Sequence, residues 1–313
     1  MNNYRITGIF TTRSPLSHIS ESISTNSYLS QDAILQPDGT IEEVFSYSGN
    51  AWRGQLRDLC ATYLLKKLGV SVSLDFFHLL YSGGKIGGEQ TINIAKAKEI
   101  RESVPSFSLF GGGIGSQIIS GKIKVGSSYP VCVEALPVLP ESAHSLAKKI
   151  TYSDLTTEKN FTRMDDSKKL ELIHNIKVDD LHLLSEEERK KKKDVATQMI
   201  MTSELIVSGV SLMHQIDLMS VTDIELGALF AAFQMFSELP YIGGQSNKGH
   251  GLVDYECYIV NTQTNENHDV IRINSSSTEL SAFAEEKIAS YQKHLLEIKA
   301  NIKTSKIGEI MGV

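Results

Sequence analysis

The chain has 313 residues, 41% of them hydrophobic and 22% charged, with a formal net charge of −6. That length buries a substantial core and holds one large domain with insertions or two domains, and no run of about 18 apolar residues is present to span a membrane. The acidic balance argues against indiscriminate nucleic-acid binding, although binding depends on one face rather than on a sum.

The start, MNNYRITGIF, lacks the basic-then-apolar layout of a signal peptide. Cys60, Cys132 and Cys257 lie far apart without a CxxC pair, which fits reduced thiols in a cytoplasmic protein and small core residues. Residues 4–12, YRITGIFTT, read as a first strand, and RSPLSHISES as a Pro-containing loop. In AILQPDGTIEEVF (33–45), Pro37-Asp38-Gly39 is a turn between two strand-like runs, a β-hairpin. Residues 50–68 carry Trp52, Leu56, Leu59, Cys60, Tyr63, Leu64 and Leu68 at helical spacing, with Ser48 or Asn50 to cap the start and Gly69 to stop it.

Residues 71–105 read as interrupted helix. Residues 108–140 read as a Gly-rich loop feeding strands in which Ile123, Val125, Val131 and Val133 alternate. Residues 151–197 are heavily charged with mixed signs, including EEERKKKKD, and read as a solvent-facing insertion. MIMTSELIVSGVSLMHQIDLM (199–219) reads as a strand broken near Gly209. Thr222 to Glu225 has capping-box spacing and opens a helix with Ile224, Ala228, Leu229, Phe233 and Phe236 on one side. PYIGGQSNKGHG is a second Gly-rich loop, LVDYECYIV (252–260) a half-buried strand, and 278–302 a closing helix. Without the insertions the order is βαββαβ. That predicts an α+β fold, a ferredoxin-like or RRM-like antiparallel sheet backed by two helices.

Arg53 and Arg57 stand on one helical face with no acid at i±3 or i±4. The pair repels itself at about 0.2–0.5 kcal/mol and opposes the helix dipole at about 0.3–1 kcal/mol. Gly54 adds roughly 1 kcal/mol against Ala. An external anion, a phosphate held by two planar guanidiniums and the free N–H groups of the helix start, would relieve the charge costs, and Gly54 would let a backbone approach. The other reading is that tertiary acids such as Asp58 or Glu134 neutralise the arginines and Gly54 serves helix packing. Trp52 begins the apolar stripe and reads as core rather than as a base-stacking ring. GGGIGSQ, with Ser116 and Gln117, and GGQSNKGHG, with Gln245, Ser246, Asn247, Lys248 and His250, could each cradle phosphates through backbone N–H groups. Neither is a P-loop or a Rossmann turn. The nine histidines show no HExxH or HxH spacing, and no metal site or cofactor is expected.

Four stretches, in order, resemble the RAMP superfamily of CRISPR proteins. ITGIFTTRSPLSHIS resembles its first strand and loop, SGNAWRGQLRDL its helix-one arginine signature, SLFGGGIGSQIISGKIKVGSSYPV its Phe-Gly loop, and LPYIGGQSNKGHGLVDY its C-terminal Gly-rich loop. Size and layout resemble the backbone subunit, most of all that of type IV complexes. The resemblance implies an RRM-like palm with helical and thumb-hairpin insertions: a first half over 1–150, a thumb over 151–197, and a second half over 198–313. It implies head-to-tail copies in a helical filament along CRISPR RNA, in a prokaryotic cytoplasm. Other effector subunits, target DNA or RNA paired to the guide, and a DinG-type helicase would be partners, and no membrane. RNA contacts would come from Arg13, Ser14, His18, Asn50, Arg53, Arg57, Ser116, Gln117, Gln245, Ser246, Asn247, Lys248 and His250. Phe161, Arg163 and Met164 would form the thumb tip. A non-catalytic role is expected. The alternatives are a type III-like subunit that cuts target RNA with Asp32, and an enzyme that binds a phosphate metabolite at the two Gly-rich loops.

Overall fold

The computed structural model describes residues 1–84, 94–114, 117–163, 199–303 and 305–313. Strand β1 (Asn2–Thr12) buries Tyr4, Ile6, Phe10 and Thr12 on one face and leaves Arg5 exposed on the other, the two-residue alternation of a half-covered strand. The chain then forms β2 (Ile19–Ile23), β3 (Asn26–Leu29) and a hairpin of β4 (Gln31–Leu35) and β5 (Ile41–Phe45). Helix α1 (Gly49–Leu68) starts where Ser48 Oγ accepts the Asn50 N–H at 3.2 Å and ends at Gly69 in the left-handed region, φ 66°. Helices α2 (Leu74–Ser82), α3 (Ile94–Ser103) and α4 (Pro105–Phe110) follow, then β6 (Gly111–Ile114), β7 (Gln117–Ser120), β8 (Ile123–Val125) and β9 (Tyr129–Pro130).

The alternating run at Val131 and Val133 does not extend a strand. Val133 opens a 3-10 helix, Val133–Val138, in a segment where Pro130, Pro137 and Pro140 fix φ and remove ladder donors. A short α5 (His144–Ala147) leads to β10 (Thr156–Arg163). The 199–219 run is two strands in two sheets, β11 (Met199–Ile206) and β12 (Ser211–Val221). Between them Gly209, φ 92°, donates its N–H to the Thr12 carbonyl. Helix α6 (Asp223–Phe236) opens on the expected capping box, and Lys122 Nζ lies 2.6 Å from the Glu225 carboxylate. Strands β13 (Val253–Asn261), β14 (Asn267–Ile273) and β15 (Thr278–Leu280) and helices α7 (Ala282–Asn301) and α8 (Lys306–Met311) complete the chain.

The main sheet has the order β15-β14-β13-β1-β12-β8, with β9 also on β12, and its pairs are antiparallel. Four of its strands, β13-β1-β12-β8, taken with α1 and α6, give the βαββαβ plan, the fourth strand lying beside the first and the second beside the third. This is the ferredoxin-like α+β architecture. Under the sheet, Trp52 is fully buried, with ring centroids 5.1 Å from both Phe10 and Phe236, so it is a core residue. The three cysteines are free and buried. Among the described residues no helix is long and apolar enough to cross a membrane.

A second sheet, β10-β11-β3-β2, has no counterpart in the sequence reading. RSPLSHISES is not wholly a loop: its second half is β2, paired antiparallel to β3, which runs parallel to β11. Ile19-Ser-Glu-Ser-Ile23 is a polar edge strand, shaped by its pairing partner rather than by a buried face. Of the 151–197 segment expected as a thumb, the described part is a 3-10 turn, Tyr152–Leu155, and β10, in register with β11 from Thr156↔Ile206 to Arg163↔Met199.

Candidate functional site

Arg53 and Arg57 converge on one acceptor. Arg57 Nη2 donates to the Phe110 carbonyl at 2.9 Å and to the Gly111 carbonyl at 3.3 Å, and Arg53 Nη2 donates to the same Phe110 oxygen. The guanidinium carbons lie 5.9 and 5.8 Å from the centre of the Phe110 ring. The arginines thus cap the C-terminal end of α4, where free carbonyls gather partial negative charge. Burial lowers the pKa of both, and Arg53 lowers that of Arg57 further.

The alternative reading, neutralisation by acids, holds only as a weak attraction at a distance, Asp58 raising the pKa of Arg57 by less than burial and Arg53 lower it. Among the described residues neither arginine forms an ion pair, and Glu134 instead accepts the Tyr152 N–H at 2.8 Å. Burial raises the pKa of Asp58, with Arg57 pulling the other way. The packing role for Gly54 also fails, because a Cβ built there would meet nothing within 4 Å. Its missing side chain faces open space beside exposed Asn50.

The first Gly-rich loop uses its glycines inside the molecule. A Cβ on Gly112 would lie 2.6 Å from the Gly83 carbonyl oxygen, and one on Gly111, φ 66°, 2.3 Å from that of Ile119. Gly113 donates its N–H to Gly83 O at 2.6 Å. A Cβ on Gly83 would sit 2.8 Å from Arg57 Nη1, so this glycine makes room for the guanidinium. These contacts account for the glycines without a ligand. Gln117 begins β7, and Ser116 lies outside the described residues.

The second loop is joined to the segment after β1. Gly244 donates to Ser17 O at 2.6 Å, Gly251 to Pro15 O at 2.9 Å, and Arg13 to Leu252 O at 2.8 Å, while Ser14 Oγ accepts the Leu252 N–H at 2.9 Å. Arg13 Nε lies 3.6 Å from the Asp254 carboxylate. His18 Nε2 accepts the Ser48 N–H at 3.3 Å, and burial lowers its pKa. Gln55 Nε2 donates to Tyr241 O at 2.8 Å, which ties α1 to the base of the same loop. Loop 13–18, the start of α1 and loop 243–251 therefore form one connected surface. Gln245 stands at φ 59°, Ser246, Asn247 and Lys248 are exposed on a 3-10 turn, and Gly249 faces open space.

Strand β10 adds a fourth side. Lys248 Nζ lies 4.4 Å from the centre of the Phe161 ring, and His250 meets that ring edge-on at 6.0 Å. Phe161 and Arg163 sit within a strand, opposite Met201 and Met199, and not at a turn, while Met164 lies outside the described residues. Lys159, exposed on the same face of β10 as Phe161, is absent from the sequence reading. The Lys159-Asn-Phe161 spacing places a cation and a ring side by side on a strand, and the signal passes unnoticed inside a run of charges. Asp32 lies in β4 opposite Val44, and its carboxylate accepts the Tyr129 hydroxyl at 2.8 Å. Among the described residues no cluster of three or more His, Cys, Asp and Glu stands together.

No family model matches the chain, and no curated protein matches it. A chain of a solved structure described as a "Type IV-B CRISPR Complex" is similar, with a TM-score of 0.56 and 18% sequence identity, over 81% of this chain and 90% of that one. At this identity the likeness is one of fold.

Proposed function

We propose that the chain is a subunit of a CRISPR effector complex and, within it, the non-catalytic backbone subunit that polymerises along CRISPR RNA. The observation that carries this reading is the joining of loop 13–18, the α1 start, loop 243–251 and β10 into one polar, lysine-bearing surface beside a ferredoxin-like sheet. The fold likeness to a chain of a type IV-B CRISPR complex favours the same assignment. Exposed backbone and cations grip phosphate and shape, while base pairing of the guide reads sequence. Arg13, Ser14 and His18 shape the loop. Asn50, Ser246, Asn247 and Lys248 offer exposed polar groups beside half-buried Gln245, and Arg53 and Arg57 keep unused guanidinium donors for a phosphate. Copies joined head to tail form an open array. Other effector subunits, guide-paired target DNA or RNA and a DinG-type helicase complete the set of partners in a prokaryotic cytoplasm.

Co-expression with a CRISPR array, followed by purification and sequencing of bound nucleic acid, tests this. The expected result is large particles that carry array-derived RNA. A small, nucleic-acid-free oligomer would support the phosphate-metabolite enzyme instead. The nuclease alternative is tested with Asp32→Ala, which should leave target-RNA integrity unchanged, since the Asp32 carboxylate is engaged by Tyr129. Loss of a cutting activity in that variant would overturn the non-catalytic assignment.

A further inference from the structure

His250 has 4% of its surface exposed, and neither ring nitrogen makes a well-aligned hydrogen bond, the Pro15 carbonyl being its one polar neighbour near enough to act on the ring. A buried imidazole short of partners is costly, and at a surface that carries cations an anion can supply the missing acceptor. Each element packed around it has a defined charge. From β10 come Lys159 and the edge of the Phe161 ring, from its own loop Lys248, and from the segment after β1 the carbonyl of Pro15. The two lysines are exposed and make no ion pair among the described residues. Burial first and Lys159 next hold the His250 pKa below its ordinary value; the Pro15 carbonyl raises it, and Lys248 lowers it by less than Pro15 raises it. The ring is therefore neutral at neutral pH while two cations stand beside it.

We propose that Lys159, Lys248 and His250 form an anion site for one phosphate of a single-stranded nucleic acid, with Phe161 as its apolar wall, and that filling it puts a proton on His250. The inference rests on the RNA-binding reading above and adds to it a residue, Lys159, and a linked proton. A phosphate between the lysines cancels the field that keeps the imidazole neutral and gives its N–H an acceptor. The proton comes from solvent, so binding tightens as pH falls and one proton is taken up per site. Phosphate and ring can be served together, because one face of β10 presents both Lys159 and Phe161.

The test is affinity of the full chain for a labelled oligouridylate at constant ionic strength across the histidine range. Wild type should tighten roughly tenfold between about pH 8 and about pH 6. His250→Gln should bind with little pH dependence, and His268→Gln, remote on β14, should keep the wild-type slope. Lys159→Ala should weaken binding and move the pH midpoint upward, because His250 loses a repelling cation. That shift is one a purely structural role for Lys159 would not produce. Calorimetry in two buffers of different ionisation heat should show proton uptake in wild type and none in His250→Gln. Binding that is pH-independent in wild type, or a slope that survives in His250→Gln, would overturn the inference and leave the RNA-binding reading standing. An absence of oligouridylate binding at every pH would overturn both.

Discussion

Arg57 donates to the carbonyl of Phe110 at 2.9 Å, and that bond joins the first half of α1 to the last residue of α4. Arg53 shares the acceptor, so the pair is structural before any ligand arrives. Replacing Arg57 with Ala should cost about 1–3 kcal/mol in urea unfolding, because a buried carbonyl loses a charged donor. The Arg53→Ala, Arg57→Ala double variant, assayed under conditions where it stays folded, should also show weaker RNA binding with a shallower salt dependence. A salt slope equal to that of wild type would assign both arginines to the fold alone. Arg57→Lys should keep much of the slope while losing stability, since a lysine retains the charge and lacks the planar fork.

Gly54 makes the opposite prediction. Its Cβ position is open, so Gly54→Ala should stabilise the isolated chain by about 1 kcal/mol. If the bare backbone is there to admit RNA or a second copy, the same substitution should lower particle yield or RNA retention. Thermal unfolding and size-exclusion profiles, measured together, separate the two effects.

His214 sets an acid limit on stability. It is fully buried and stacked on Phe10 at 5.0 Å, and burial pushes its pKa down to about 3. The folded-state value lies below the unfolded one, so stability is fully present above about pH 6.5 and falls as the pH drops, at about 1.4 kcal/mol per pH unit, until the folded value is reached. His214→Phe should flatten that dependence. Urea titrations at several pH values check it, and parallel curves for the two proteins would contradict it.

Gly8 and His214 are matched. A Cβ on Gly8 would stand 2.2 Å from His214 Nε2 and 2.8 Å from the Tyr255 hydroxyl oxygen. Gly8→Ala should therefore destabilise by about 1–3 kcal/mol through overpacking. The Gly8→Ala, His214→Ala pair should cost about 0.5–3 kcal/mol less than the sum of the single variants. Simple additivity in unfolding measurements would mean that the strand relaxes elsewhere.

The elements legible in the sequence are those whose burial writes a period. β1 and β13 alternate, α1 carries its apolar stripe, the hairpin is announced by Pro37-Asp38-Gly39, and the capping box opens α6. The strands that escaped reading lack that period. β2 is mostly polar, and β14 places Val270 and Ile271 side by side at a bulge, which breaks the two-residue alternation. The closing helix was expected from 278, yet Thr278–Leu280 pair as β15 and Ser281 caps the helix. At the site, loop 243–251 stood out by its excess of polar residues. The acceptor of the arginine pair did not, because a backbone carbonyl far along the chain has no letter of its own.

The in-register pairing of β10 and β11 fixes which way Phe161 faces. Eight residue pairs hold the two strands together, and side chains along a strand alternate between its two faces. A slip of one residue would carry the Phe161 ring to the opposite face, away from Lys248 and His250. The aim of that ring is thus set by backbone ladder bonds that carry no side-chain chemistry, and a change confined to the pairing of two strands would redirect it without touching any residue it meets.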